Sequence, residues 1–140
     1  MDIVFQENPT RNIKILVDGI NTEAKQKKGQ NSTKFFGFFI KDKSLFKRKK
    51  MGGVVGLIIF GCIYIDILWI DKSIRNKGYG SMLMKKAEEY GKENGCTFAT
   101  VNTMDWQALD FYKKNGYEVE FERKGFAKNS TCFYLRKNFS

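Results

Sequence analysis

Between Val54 and Trp69 the chain runs almost without polar residues, interrupted by Gly56, Gly61 and Asp66. The run is too short and too broken for a membrane-crossing helix, and it is rich in β-branched side chains. It reads as two apolar strands, Gly53–Phe60 and Cys62–Ile70, hinged at Gly61. Strands of this kind need cover on their faces, so the chain must supply helices to pack over a sheet.

The rest of the sequence supplies them. Met1–Gln6 alternates enough for a first strand. Asn8-Pro9 reads as an N-cap followed by proline at the first helical position. Ile13, Leu16, Val17 and Ile20 follow as an amphipathic stripe, and Asn21 is placed to cap a second, polar helix that stops at Gly29. Lys34–Lys41 forms a hairpin with Gly53–Phe60. Beyond Ile70 a polar loop leads into a helix from Ser81 to Asn94, with Tyr79, Leu83, Ala87 and Tyr90 on one face and Gly95 as its stop. Phe98–Asn102 is a strand. Asp105–Asn115 is a helix with Ala108, Leu109, Phe111 and Tyr112 inward. Tyr117–Arg123 and Thr131–Lys137 close the order as antiparallel strands. The expected class is α/β (α+β): a mixed, mostly antiparallel sheet of about seven strands, with helices on both faces, in a single domain over residues 1–140.

A chain of 140 residues buries enough surface to fold without a metal or disulfide staple. It contains no histidine, which removes His-based triads and imidazole bases, and its three cysteines (Cys62, Cys96, Cys132) form no C-x-x-C pair. No metal is expected, and the cysteines read as small buried hydrophobes in a reducing compartment. Met1–Phe5 has no basic flank before an apolar core, so no secretory signal is visible and the expected location is cytoplasmic, away from membranes. The net charge is +10, and half of it lies in Lys41–Lys50, where six basic residues face Asp42 alone. With only Leu45 and Phe46 interleaved, that run reads as a solvated hairpin tip before a nucleic-acid contact.

The segment that points to chemistry is Arg75-Asn76-Lys77-Gly78-Tyr79-Gly80-Ser81, between a buried strand and a strong helix. Its glycines allow close backbone approach, and the helix start offers unpaired N–H groups at a positive dipole end. Arg75 and Lys77 add charge. A pyrophosphate suits this arrangement. The string is neither a P-loop nor a dinucleotide fingerprint, since Leu83 stands where a third glycine would be.

Ile65-Asp66-Ile67-Leu68-Trp69-Ile70-Asp71, then Arg75-x-x-Gly78-x-Gly80, then Leu83, Ala87 and Glu88, resembles motif A of the GNAT superfamily of N-acetyltransferases. Gln107-Ala108-x-x-Phe111-Tyr112-x-x-x-Gly116-Tyr117 resembles its motif B. The likeness is nearest to small prokaryotic members. It implies acetyl-CoA as co-substrate, with its pyrophosphate on the amides of Arg75, Asn76, Lys77, Gly78, Tyr79, Gly80 and Ser81. It also implies that Leu68, Trp69 and Ile70 pair with the pantetheine arm and offer an amide to the thioester oxygen, a small oxyanion hole. Phe111 joins this cofactor-binding set. Asp105 stands where many relatives place a pantetheine-binding asparagine. Tyr112 would protonate the departing thiolate.

The implied reaction is direct attack of an amine on the acetyl thioester. Asp66, a lone acid in an apolar strand, is the first choice of base, because burial favours a carboxyl's protonated form. Tyr64 and Tyr134 are candidate acceptor-site walls. The alternatives are a basic nucleic-acid-binding module and an inert acyl-CoA sensor on the same fold. Exposed strand edges make a homodimer conceivable.

Overall fold

A computed structural model describes residues 1–44 and 49–140; the centre of the basic run, Leu45–Arg48, lies outside the described residues. The chain forms two compact units, Met1–Lys34 and Phe35–Ser140.

The first unit is one helix, α1 (Thr10–Lys28), with its lead-in and exit. Met1–Gln6 is not a strand. Alternation alone does not make one, and the sheet order leaves this segment no partner. Pro9 sits at the cap position, one residue from its expected place inside the helix. Nor does Asn21 break the helix. Its Oδ1 accepts from the backbone N–H groups of Ser32 and Thr33 (both 2.8 Å), and its Nδ2 donates to Thr33 O. The side chain thus ties the exit segment back to the helix, and one helix replaces the expected two. Gly29, at φ 78°, ends it.

The second unit holds a six-stranded sheet in the order β1-β2-β3-β4-β6-β5. Its strands are β1 (Thr33–Lys41, entering from the first unit), β2 (Lys50–Ile59), β3 (Cys62–Ile70), β4 (Phe98–Met104), β5 (Glu118–Phe126) and β6 (Ser130–Asn138). Helix α2 (Tyr79–Glu93) connects β3 to β4, and α3 (Leu109–Lys114) connects β4 to β5. The β3–β4 pair is parallel, whereas β2–β3, β4–β6 and β5–β6 are antiparallel. A mixed, mostly antiparallel sheet is therefore present, with six strands where about seven were expected. Phe60 and Gly61 turn β2 into β3 with positive φ at both positions, the twist a two-residue hairpin favours.

The core gathers Val54 of β2, Ile63 and Ile65 of β3, Ala99 and Val101 of β4 and Leu135 of β6 under Leu83, Met84 and Ala87 of α2 and Tyr112 of α3. Each large aliphatic side chain so buried contributes about 1.5–3 kcal/mol. Phe36 and Phe38 of β1 meet the Tyr90 ring at 5.5 and 6.0 Å. Among the described residues no helix is long and apolar enough to cross a membrane.

Two irregularities of β3 open one end of the sheet and displace Asp66. The β3–β4 ladder runs from Cys62↔Phe98 to Ile65↔Val101 and stops, while β4 stays paired with β6 as far as Met104. Beyond Ile65 the sheet is therefore open between β3 and β4. On the other side, the β2–β3 register jumps from Val55↔Ile67 to Gly56↔Ile65, leaving Asp66 as the extra residue of a bulge. Gly56 faces that bulge so closely that a Cβ built there would fall on the Tyr64 carbonyl oxygen. Gly56→Ala is expected to cost about 2 kcal/mol or more, a midpoint drop of roughly 7 °C, in thermal unfolding. A midpoint within a degree of wild type would show that the bulge relaxes freely.

Candidate functional site

The opening of the sheet meets the start of α2. After Ile70, Asp71 caps a single 3₁₀ turn: its Oδ1 accepts from Ser73 N (3.0 Å) and Ser73 Oγ (2.6 Å). Those bonds hold the Asp71 carboxyl below its usual range. Arg75 Nε donates to Ile70 O at 2.8 Å, folding the loop against the strand end. Asn76 (φ 61°) and Gly78 (φ 85°) then take left-handed conformations that turn the chain into α2. No side chain caps this helix and no acidic residue lies in its first turn. The N–H groups of Tyr79, Gly80 and Ser81 have no hydrogen-bond acceptor among the described residues.

These elements enclose a cleft of about 460 Å³. Leu68, Trp69 and Ile70 form one wall, and Arg75, Asn76 and Gly78 through Ser81 form the floor. Phe111 closes the far side, so near Gly80 that a Cβ there would lie 3.1 Å from Phe111 Cζ. Of the residues expected to bind the cofactor, all but Lys77 and Asp105 line this cleft. Lys77 is exposed beside the cleft and does not line it. Asp105 is outside as well, because the helix expected to start there starts at Leu109. Met104 N donates to Gln107 Oε1 (3.0 Å) and Ala108 N to Thr103 Oγ1 (3.2 Å), holding Asp105–Ala108 as a turn. Ile74 and Ala108 also line the cleft and were missed. A lone apolar residue in a polar loop was the available sign for Ile74; for Ala108, read as core, there was none.

Neither proposed catalytic residue lines the cleft. Tyr112 is buried, its ring edge-on to Phe111 (5.2 Å) and Tyr117 (6.0 Å). Burial pushes its hydroxyl up to about 12. Asp66 is exposed, in correction of the buried position expected for it: a bulged residue belongs to neither packed row of its strand. Tyr64 lies near it, its hydroxyl raised by burial first and by the Asp66 charge second, and Asn102 Nδ2 donates to Tyr64 Oη at 3.4 Å. Tyr134 stacks on Phe121 at 4.2 Å and accepts from Arg123 Nη1 at 2.9 Å. The cysteines form no disulfide, and Cys96 and Cys132 are buried. Burial, and then Cys96 nearby, pushes the Cys62 thiol up to about 11. Among the described residues no three His, Cys, Asp or Glu side chains cluster to hold a metal.

A family model described as Acetyltransferase (GNAT) family matches residues 17–117. The chain belongs to the GNAT acetyltransferase family. The GNAT match takes in every wall of the cleft, from Leu68 to Phe111. The sequence is similar to blasticidin-S acetyltransferase of Streptomyces morookaense, 39% identical over 69 residues, which is 49% of this chain. The matched stretch spans about half of that relative's length (51%). In structure the chain is similar to an acetyltransferase from Bacillus cereus, with TM-score 0.74, 27% identity and coverage of 99% of this chain and 97% of that one. It also shares the GNAT fold with a Bacillus anthracis acetyltransferase solved with acetyl coenzyme A, at TM-score 0.61 and 22% identity, over 66% of this chain and 58% of that one.

Proposed function

We propose that this chain is an acetyl-CoA-dependent N-acetyltransferase acting on a primary amine of a small molecule or protein. The observation that carries this reading is the meeting, in one cleft, of an uncapped helix N-terminus and the free edge that β3 gains where β4 leaves it. The first suits a pyrophosphate, through the N–H groups of Tyr79, Gly80 and Ser81 and the charge of Arg75. The second suits an amide-bearing arm, because Leu68–Ile70 offer backbone groups as a strand edge does. Two such complements in one cleft match the donor better than any single anion.

The amine nitrogen bonds to the thioester carbonyl carbon, the C–S bond breaks, the thiolate leaves and the amine sheds a proton. An alkylammonium with a pKa near about 10 holds that proton at neutral pH, so an acceptor for it speeds attack. Asp66 stands beside the opening on the bulge and takes this role, directly or through water. A backbone N–H of Leu68–Ile70 stabilises the oxygen of the tetrahedral intermediate. Tyr112, protonated throughout the working pH range, lies behind the cleft wall with its ring edge-on to Phe111, so donating a hydrogen bond to the leaving sulfur requires its hydroxyl to reach past that ring. A thiol of ordinary pKa, about 8.5, is a stable enough anion to depart without full transfer from so weak an acid. Cys62, held protonated, is a poor nucleophile, which favours direct transfer over an acetyl-enzyme.

Initial rates with both substrates varied should give intersecting lines. Asp66→Asn should lower kcat by more than about tenfold at neutral pH, and Tyr112→Phe should lower it by a similar factor. Parallel lines would exclude direct attack, and full activity in either variant would remove that residue from the mechanism.

A further inference from the structure

A second cavity, of about 310 Å³, lies across the sheet from the core, bounded by Phe39, Lys50, Gly53, Val55, Ile67 and Trp69 among others. Leu68 and Ile70 pack toward the core, so strand alternation turns Ile67 and Trp69 to this other face. Trp69 also belongs to the wall of the donor cleft, and Asp66 directly precedes Ile67. The cavity therefore adjoins both the proposed donor site and the proposed base.

Its walls have a definite chemistry. Phe39 and Trp69 are each about half exposed, at 48% and 51%, presenting ring surface to solvent without losing their seats in the sheet. Gly53 keeps the floor flat, since a Cβ there would come within 2.6 Å of Phe39 Cδ1. At one end Lys50 Nζ sits 4.5 Å from the centre of the Phe39 ring, with no carboxylate paired to it among the described residues. A flat apolar group fits the rings, an anion fits Lys50, and the remaining end points along β3 toward Asp66.

We infer that this cavity receives the acceptor, and that the acceptor is a primary amine on a flat apolar body with a carboxylate or similar anion at its far end. The inference rests on the acetyl-transfer reading and names its substrate class. It is tested with 4-(aminomethyl)benzoate and benzylamine, which share the ring and the amine and differ in the carboxylate. Release of coenzyme A thiol reports turnover.

The intact protein should use 4-(aminomethyl)benzoate with a kcat/KM at least about tenfold above that for benzylamine, the worth of one charge-assisted contact. Lys50→Gln should bring the ratio to near one, and Lys50→Arg should restore it. Equal use of the two amines, use of neither, or a preference that survives Lys50→Gln would overturn the inference. The thermal shift with acetyl-CoA separates the two levels. If wild type shows it and the preference is absent, the acceptor class alone is wrong. If acetyl-CoA gives no shift, the acetyl-transfer reading itself has failed.

Discussion

Gly80→Val is expected to fold and to lose acetyl-CoA. The position lies in the first turn of α2, on the cleft floor, where a Cβ would already stand 3.1 and 3.2 Å from two Phe111 ring atoms. A branched side chain there must push the ring aside or occupy the space that a phosphate needs beside the Ser81 and Tyr79 amides. Nothing comparable threatens the fold, since valine suits a helix better than glycine. Wild type with acetyl-CoA at 100 times its Kd should gain about 2.7 kcal/mol, a midpoint rise of roughly 5–10 °C. The variant should show less than about a fifth of that rise, and acetyl transfer should fall by more than about 100-fold. A variant that keeps the rise would show that the donor does not approach α2 closely.

The second large effect is on stability. Glu88 of α2 is buried and meets Lys137 of β6 at 2.6 and 3.2 Å. Removing one partner of a buried pair leaves a charge without compensation, which typically costs about 3–5 kcal/mol. The Lys137 side chain is 34% exposed, so solvent softens the loss to about 2–3 kcal/mol. Lys137→Met should therefore lower the unfolding midpoint by roughly 7–10 °C. Glu88→Leu combined with Lys137→Met should recover most of that drop, because two apolar groups leave nothing unpaired. If the double variant is no better than the single one, the cost lies in the lost lysine stem and its neighbours, among them the Tyr117 ring 5.7 Å from Lys137 Nζ.

The cleft proposed for the donor was legible because the elements that form it are local. A buried strand, a glycine-bearing loop and an amphipathic helix follow one another between Leu68 and Ser81, and backbone groups do most of the proposed binding. Phe111 was found through its motif, far downstream in sequence and across the cleft in space. What escaped depended on register or on competing local bonds. The extra residue at Asp66 arises from how β2 and β3 align around Gly56, and no periodicity within β3 alone announces it. The late start of α3 follows from Thr103 and Gln107 side chains capturing backbone N–H groups, a competition that helix propensity does not weigh. Asn21 likewise read as a cap because its three bonds go to residues eleven and twelve positions away. Met1–Gln6 had a strand's alternation and no strand to pair with.

Amide hydrogen exchange of the intact protein, with and without saturating acetyl-CoA, tests the central claim most directly. If the donor lies along the free edge of β3 with its pyrophosphate on the start of α2, protection should rise in peptides covering 68–70 and 75–81. Unchanged exchange across both segments, or protection concentrated on another surface, would contradict the assignment of this cleft.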